Sequence, residues 1–322
     1  MQCLRATPDW QKRLSLRGES LMLMPWLLSG LGLVMLLLAG DALVKGAVNL
    51  SLRLGVPAMI VSLTIVAFGT SAPELLIAIE AVLDDASGIA LGNVVGSNTA
   101  NILLVLGVPA LLATMHTSEC DTRKNFNVMI AASILFIALA FRGVFDWIAG
   151  LVLLGGLAYV LGSAFMEARG HRKACADDEE EPEGADPDMP KWQIVLFLVL
   201  GLIGLPVGAS LLVENASIIA RAYGMSDTVI GLTLVAIGTS LPELATTVMA
   251  ALRRQADVAL GNVIGSNMFN LLAIVGIASL VGPIDVDPAF LRFDLWVMLA
   301  ASLLLIPFVY MRKDITRIAG IG

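Results

Sequence analysis

The sequence predicts an all-α polytopic membrane protein: two inverted-topology repeats of about five transmembrane helices each, with the tenth helix missing. Composition, recurrent apolar runs and a motif doubled at constant offset carry this prediction. Hydrophobic residues make up 57% and charged residues 15%, against about 25% charged in an ordinary soluble domain. Apolar runs recur near 21–52, 57–84, 88–113, 126–142, 145–167, 191–220, 226–252, 257–281 and 290–311. Each is long enough to cross about 30 Å of hydrocarbon as a helix. Lipid offers no partner to backbone N–H and C=O groups, so helices are the form these runs take.

The doubling is in the chemistry-bearing segments. GTSAPE (69–74) returns as GTSLPE (238–243), 169 positions later. The same offset aligns LTIVAFGTSAPEL (63–75) with LTLVAIGTSLPEL (232–244), and ALGNVVGSNTANILLVLG (90–107) with ALGNVIGSNMFNLLAIVG (259–276). The organisation is therefore a tail (1–20), a first repeat (21–168), an acidic linker (169–190) and a second repeat (191–322). Five spans separate equivalent helices. Five is odd, so the second copy enters the membrane from the opposite face. Inverted repeats of this kind place a binding site near the bilayer midplane, where broken helices from both halves meet.

The residues that fall there are oxygen donors. On a helix, Ala67, Thr70, Ser71 and Glu74 share one face. Pro73 has no N–H, so the Gly69 carbonyl loses its i+4 donor. Asn93, Ser97 and Asn101 form a second polar stripe beside the small residues Gly92, Gly96 and Ala100. The second half supplies Ala236, Thr239, Ser240 and Glu243, the carbonyl of Gly238, and then Asn262, Ser266 and Asn270. Together these make an oxygen cage with two carboxylates, suited to hard cations such as calcium or sodium. With neither thiolate nor imidazole it suits zinc and copper poorly. The bland alternative is hydroxyls bonded to their own helices and glycines that merely allow packing. It leaves the glutamates unexplained, since a lone ionised carboxylate at a helix centre costs about 3 kcal/mol or more.

The other charges have weaker readings. Asp41 and Lys45 are one turn apart and can pair; Glu214 is the repeat equivalent of Lys45, so a pair between halves is a second option. Glu80 and Asp84 fall off the site face, at the membrane edge or an ion entrance. The segment 174–190 packs eight acids around prolines and glycine and reads as a solvated loop, with a calcium-sensing strip as the sharper alternative. Cys3, Cys120 and Cys175 are scattered, and His116 and His171 do not cluster. Basic residues concentrate in alternate loops (Arg53; Arg123 and Lys124; Arg169, Arg172, Lys173 and Lys191; Arg253 and Arg254; Arg312, Lys313 and Arg317). The positive-inside rule then places the acidic linker and C-terminus in the cytoplasm and the N-terminus outside. Arg5, Lys12, Arg13 and Arg17 in the tail oppose this, a conflict that a start at Met22 or Met24 would remove.

The doubled pair GTSAPE…GNVVGSNTAN and GTSLPE…GNVIGSNMFN resembles the α1 and α2 repeats of the calcium/cation antiporter superfamily, most nearly its sodium/calcium exchanger branch. The resemblance implies two inverted five-helix repeats. It also implies an ion cage at Ala67, Thr70, Ser71, Glu74, Gly96, Ser97 and Asn101, with Ala236, Thr239, Ser240, Glu243, Gly265, Ser266 and Asn270 as second-half partners. The backbone carbonyls of Ala67, Ala236, Gly96 and Gly265 enter the cage by that resemblance alone. This sequence departs from the family twice. Asn270 stands where such exchangers often carry aspartate. MRKDITRIAGIG reaches the turn that in the first half, as FRGVFDWIAG, leads into a fifth helix, and there the sequence ends.

The implied activity is secondary antiport of Ca2+ against Na+ across a bacterial inner membrane by alternating access, the long helices 21–52 and 191–220 sliding across the core. Proton-coupled exchange of calcium or another divalent ion, and a cation-binding protein that has lost transport, remain open. The expected partners are the lipid bilayer and the ions, with no cofactor and no nucleic acid. An enzyme is not expected: the sequence has no GxxxxGK[ST] loop, and the GTS hydroxyls have no histidine or lysine base nearby.

Overall fold

The computed structural model describes residues 9–117, 122–174, 186–230, 234 and 236–320. Two long helices, α1 (Asp9–Leu54) and α7 (Lys191–Ala222), open the two halves. After α1 come α2 (Ala58–Thr70), α3 (Ala72–Leu83), α4 (Ser87–Leu112), α5 (Arg123–Ala140) and α6 (Trp147–Ala174). After α7 come α8 (Asp227–Ile230), α9 (Ala236–Gly238), α10 (Leu241–Leu252), α11 (Ala256–Val281) and α12 (Phe290–Tyr310). Residues 9–20, expected as part of a tail, continue α1.

Among the described residues seven helices are long and apolar enough to cross a membrane, and the pair α2–α3, bent by 43° at Ser71, makes an eighth span. The remaining expected span, 226–252, is divided among α8, α9 and α10, with 231–233 and 235 outside the described residues. The protein is a multi-pass membrane protein.

The repeat is written into the backbone as well as the sequence. Left-handed residues recur at the same offset, Gly55 (φ 63°) with Gly224 (φ 85°), and Asp85 with Arg254, both at φ 56°. The break residues Ser71 (φ −86°, ψ 5°) and Ser240 (φ −88°, ψ 4°) match likewise. Two short antiparallel pairings tie the halves together: Phe145 with Ile284 in the strand pair β1 (Val144–Phe145) and β2 (Ile284–Asp285), and Met115 with Ile315.

The long helices cross on small residues. A Cβ on Gly32 would meet the Leu212 nitrogen at 2.7 Å and the Gly208 carbonyl at 2.8 Å, while one on Gly201 would meet Leu43 Cβ at 2.5 Å and the Ala39 carbonyl at 3.0 Å. The pairs Gly32/Gly208 and Ala39/Gly201 exchange under the repeat offset, so the crossing lies on the pseudo-twofold axis. Helix α11 runs through the middle of the bundle and is buried over nearly its whole length.

Several charged residues are partnered differently from expectation. Asp41 pairs with Arg253 and not with Lys45. Lys45 lies over the Phe197 ring, 5.2 Å from its centroid, and Glu214 accepts the Ser210 hydroxyl at 2.7 Å. Intrahelical pairing lost to a longer-range partner that periodicity along one helix does not reveal. His116 meets Asp314 at 3.0 Å. Ahead of α6, the Ala149 N–H and Arg142 both bind the Asp146 carboxylate and lower its pKa. The end of the acidic linker is docked on α1, with Asp186 N–H on Asn49 Oδ1 at 2.8 Å and Arg53 on the Met189 carbonyl at 3.0 Å. Residues 175–185, Cys3, Cys120 and Cys175 lie outside the described residues, as does the side chain of His171.

Candidate cation-binding site

Glu74 and Glu243 sit in the first turns of α3 and α10, each directly after a proline. Proline suits these positions because the first helical residues have no intrahelical acceptor for an N–H. The free N–H groups of that turn carry partial positive charge, which favours a carboxylate there. Both glutamates are buried, at 1% exposure. Asn93 and Asn262 fix the segments from below, each donating its amide to the glutamate's own carbonyl at 3.4 Å.

The halves meet at these residues. Ser71 donates its hydroxyl to Glu243 Oε1 at 3.2 Å. The Thr70 hydroxyl lies 3.3 Å from Asn262 Oδ1 and 3.4 Å from Ser266 Oγ. Asn101 opens a π-turn (Asn101–Val105) and Asn270 lies second in its counterpart (Phe269–Ile274). Such widened turns recur at functional sites.

One observation singles out the site. Among the described residues, five buried side-chain N or O atoms have no hydrogen-bond partner: Glu74 Oε2, Glu243 Oε2, Asn101 Oδ1, Asn270 Oδ1 and Ser29 Oγ. Four of the five are oxygens of residues expected in the cage, in two repeat-related pairs. A buried polar atom without a partner costs about 1–3 kcal/mol, so four together mark a place where something else supplies the contacts. All four are acceptors, which calls for a cation. No group of three His, Cys, Asp or Glu occurs among the described residues, so the set is carboxylate, amide and hydroxyl oxygen, the ligand chemistry of calcium and sodium.

The remaining expected residues are placed unevenly. Ser97, Ser240 and Ser266 are buried. Thr239 is half-buried at a cavity of about 190 Å3 between α7 and the second break, lined also by Pro73, Ser210 and Pro242. The Ala67 carbonyl already accepts the Ser71 N–H at 3.1 Å and the Thr70 hydroxyl at 3.3 Å. The Gly265 carbonyl accepts the Phe269 N–H, so both carbonyls hold helix bonds in this structure. Gly96 faces a groove of about 450 Å3 toward α12. Ala236 opens α9, its side chain outside the described residues. Glu80 and Asp84 are exposed and away from the cage.

Sequence reasoning missed Asn98 and Asn267. They lie one position beyond the Ser97/Ser266 stripe, yet donate reciprocally, each amide nitrogen to the other's backbone carbonyl at 3.4 Å. The signal was present, because the asparagine of GSN recurs in both copies of the motif.

A bundle of membrane-spanning helices built from two repeats, with buried and unpartnered carboxylate and amide oxygens where the repeats meet, is the architecture of a secondary cation transporter. The family model "Sodium/calcium exchanger protein" matches residues 24–166 and 193–322, and the chain belongs to that family of cation antiporters. Putative antiporter CaxA of Alkalimonas amylolytica is 40% identical over 279 residues, 85% of this chain and 86% of the relative. Sodium/calcium exchanger MaX1 of Methanosarcina acetivorans is 36% identical over 330 residues, 90% of this chain and 93% of the relative. The sodium-calcium exchanger NCX_Mj, solved after soaking with Na+ and Sr2+, superposes with a TM-score of 0.76 at 33% identity, covering 93% of this chain and 95% of that one.

Proposed function

We propose that this antiporter exchanges Ca2+ for Na+ by alternating access, the ions binding between Glu74 and Glu243. The amide oxygens of Asn101 and Asn270 and the hydroxyls of Thr70, Ser71, Ser97, Thr239, Ser240 and Ser266 complete the cage. Backbone carbonyls, including those of Ala67, Ala236, Gly96 and Gly265, join when their helix bonds loosen. The observation that carries this reading is the set of four unpartnered buried oxygens, two carboxylate and two amide, related by the repeat. Two carboxylates match the charge of one Ca2+ or two Na+. The similarity to sodium/calcium exchanger MaX1 and to the sodium-calcium exchanger NCX_Mj supports these ions over others. We place the protein in an inner membrane with the acidic linker inside, on the strength of its basic loops.

The test is radioactive calcium uptake into proteoliposomes loaded with sodium and diluted into sodium-free buffer. Uptake that requires the sodium gradient is the expected result. Uptake driven by a pH gradient with sodium absent would replace sodium by protons as the coupling ion, and calcium binding without flux would leave a binding protein.

A further inference from the structure

We infer that Asn98 and Asn267 are positioning residues that turn the amide oxygens of Asn101 and Asn270 toward the cation, an inference that rests on the cage proposed above. An asparagine amide has an acceptor end and a donor end of nearly the same shape, so an unrestrained amide presents N–H to a cation as readily as oxygen. In this structure the choice is made by a second asparagine from the opposite repeat. Asn270 Nδ2 donates to Asn98 Oδ1 at 3.1 Å, and Asn101 Nδ2 donates to Asn267 Oδ1 at 3.0 Å. With each NH2 group held this way, the oxygens of Asn270 and Asn101 are left buried and unpartnered, available to a cation.

The orienting amides are themselves fixed. Asn98 Nδ2 donates to the Asn267 carbonyl at 3.4 Å and to Met298 Sδ at 3.7 Å. Asn267 Nδ2 donates to the Asn98 carbonyl at 3.4 Å and to Met129 Sδ at 3.8 Å. Met129 and Met298 are again 169 positions apart and both fully buried. Flipping either amide would set its oxygen against a carbonyl oxygen and a thioether and would remove the acceptor that holds the cage residue. All three polar contacts of each orienting amide are satisfied in one orientation only, and the symmetry repeats that orientation. Outer partners of this kind typically govern about 10–100-fold in metal affinity.

The arrangement also sets which side chain suits position 270. An aspartate has no NH2 to offer Asn98 Oδ1, and its second oxygen would face that oxygen directly. The asparagine at 270 and the orientation of Asn98 are therefore a matched pair.

A double-variant cycle on the purified full chain tests this, read as the Kd for calcium and, separately, for sodium. Asn98→Ala should weaken calcium binding by about 10-fold or more, because Asn270 is free to flip. In an Asn270→Asp background no wrong end exists to be presented, so the same Asn98→Ala change should weaken binding less than about threefold, or strengthen it by removing an oxygen–oxygen contact. Equal losses in both backgrounds would overturn the inference, since a packing role costs the same in each. The mirror cycle, Asn267→Ala with Asn101→Asp, has the same expectations and serves if Asn98→Ala does not fold. Failure of both alanine variants to fold would assign the pair a structural role only and overturn the inference. A wild-type protein that binds neither calcium nor sodium would instead sink the cage reading and the inference with it.

Discussion

Asp41 on the long helix α1 is paired at 2.5 Å with Arg253, in the turn between α10 and α11. Their repeat equivalents are Ser210 and Asp84, which cannot form an ion pair; the Ser210 hydroxyl is instead bonded to Glu214. One side of the molecule thus has an ionic tie between a long helix and the core, and the repeat equivalents cannot build the same one. If the long helices slide, the tie must break in one of the two access states. A half-exposed pair of this kind contributes up to about 1 kcal/mol, enough to move a two-state ratio by about fivefold. Asp41→Asn should therefore change the apparent calcium affinities measured from the two membrane faces in opposite directions, by a combined factor of about five. The charge swap Asp41→Arg with Arg253→Asp should restore the original ratio. Side-specific calcium uptake in oriented vesicles reads both, and an unchanged ratio would remove the tie from the mechanism.

Helix crossing at the cage makes a second prediction. A Cβ on Gly265 would lie 2.5 Å from the Leu63 carbonyl oxygen and 2.6 Å from Ala67 Cβ, both parts of the other repeat and neither a flexible tip. Overpacking of this kind costs about 1–3 kcal/mol. Gly265→Ala should lower the melting temperature and, if the proposed cage holds, weaken calcium binding together, because α11 and α2 move apart beside it. Gly155, on the exposed face of α6 with nothing within 4 Å of an added Cβ among the described residues, should accept alanine with its melting temperature unchanged or raised. Thermal unfolding followed by fluorescence-detected size exclusion compares the two.

Much of this was legible in the sequence because the inverted repeat doubles every signal. A glutamate after a proline in an apolar run is ambiguous once, but twice at an offset of 169 it marks the duplicated fold and points to one pair of residues for the proposed site. Helical periodicity likewise placed Asn101 and Asn270 on the face they occupy. It could not see contacts whose partners lie far along the chain. The orienting asparagines act across the repeat boundary and fall off the polar stripe by one position. Asp41 finds its partner 212 residues away, not one turn away. The Thr70 hydroxyl, expected as a ligand, is shared among the Ala67 carbonyl, Asn262 and Ser266, a division that sequence spacing does not determine.

Charge bookkeeping of the cage gives a third expectation. Glu74 and Glu243 supply two negative charges, and Asn270 supplies none. One Ca2+ exchanged for two Na+ keeps that site neutral in both halves of the cycle, so transport should carry no net charge per calcium. Calcium uptake should be unaffected when the membrane potential is clamped at different values with potassium and valinomycin. A rate that varies steeply with the clamped potential would show that a further charge moves with the ions.

The central claim is that the two repeat-related glutamates carry the transported calcium, and the most direct measurement is calcium–calcium exchange at equilibrium. External radioactive calcium is followed into calcium-loaded proteoliposomes, with wild type, Glu74→Gln and Glu243→Gln reconstituted at matched amounts after each is shown to be monodisperse. Exchange at equal calcium on both sides needs no sodium, no proton gradient and no assumption about coupling. The proposed site predicts rapid tracer exchange by wild type and a loss of about 100-fold or more in each single variant, as expected if one of two buried carboxylate ligands is neutralised. Variants that fold and still exchange calcium at wild-type rates would contradict the assignment of the site.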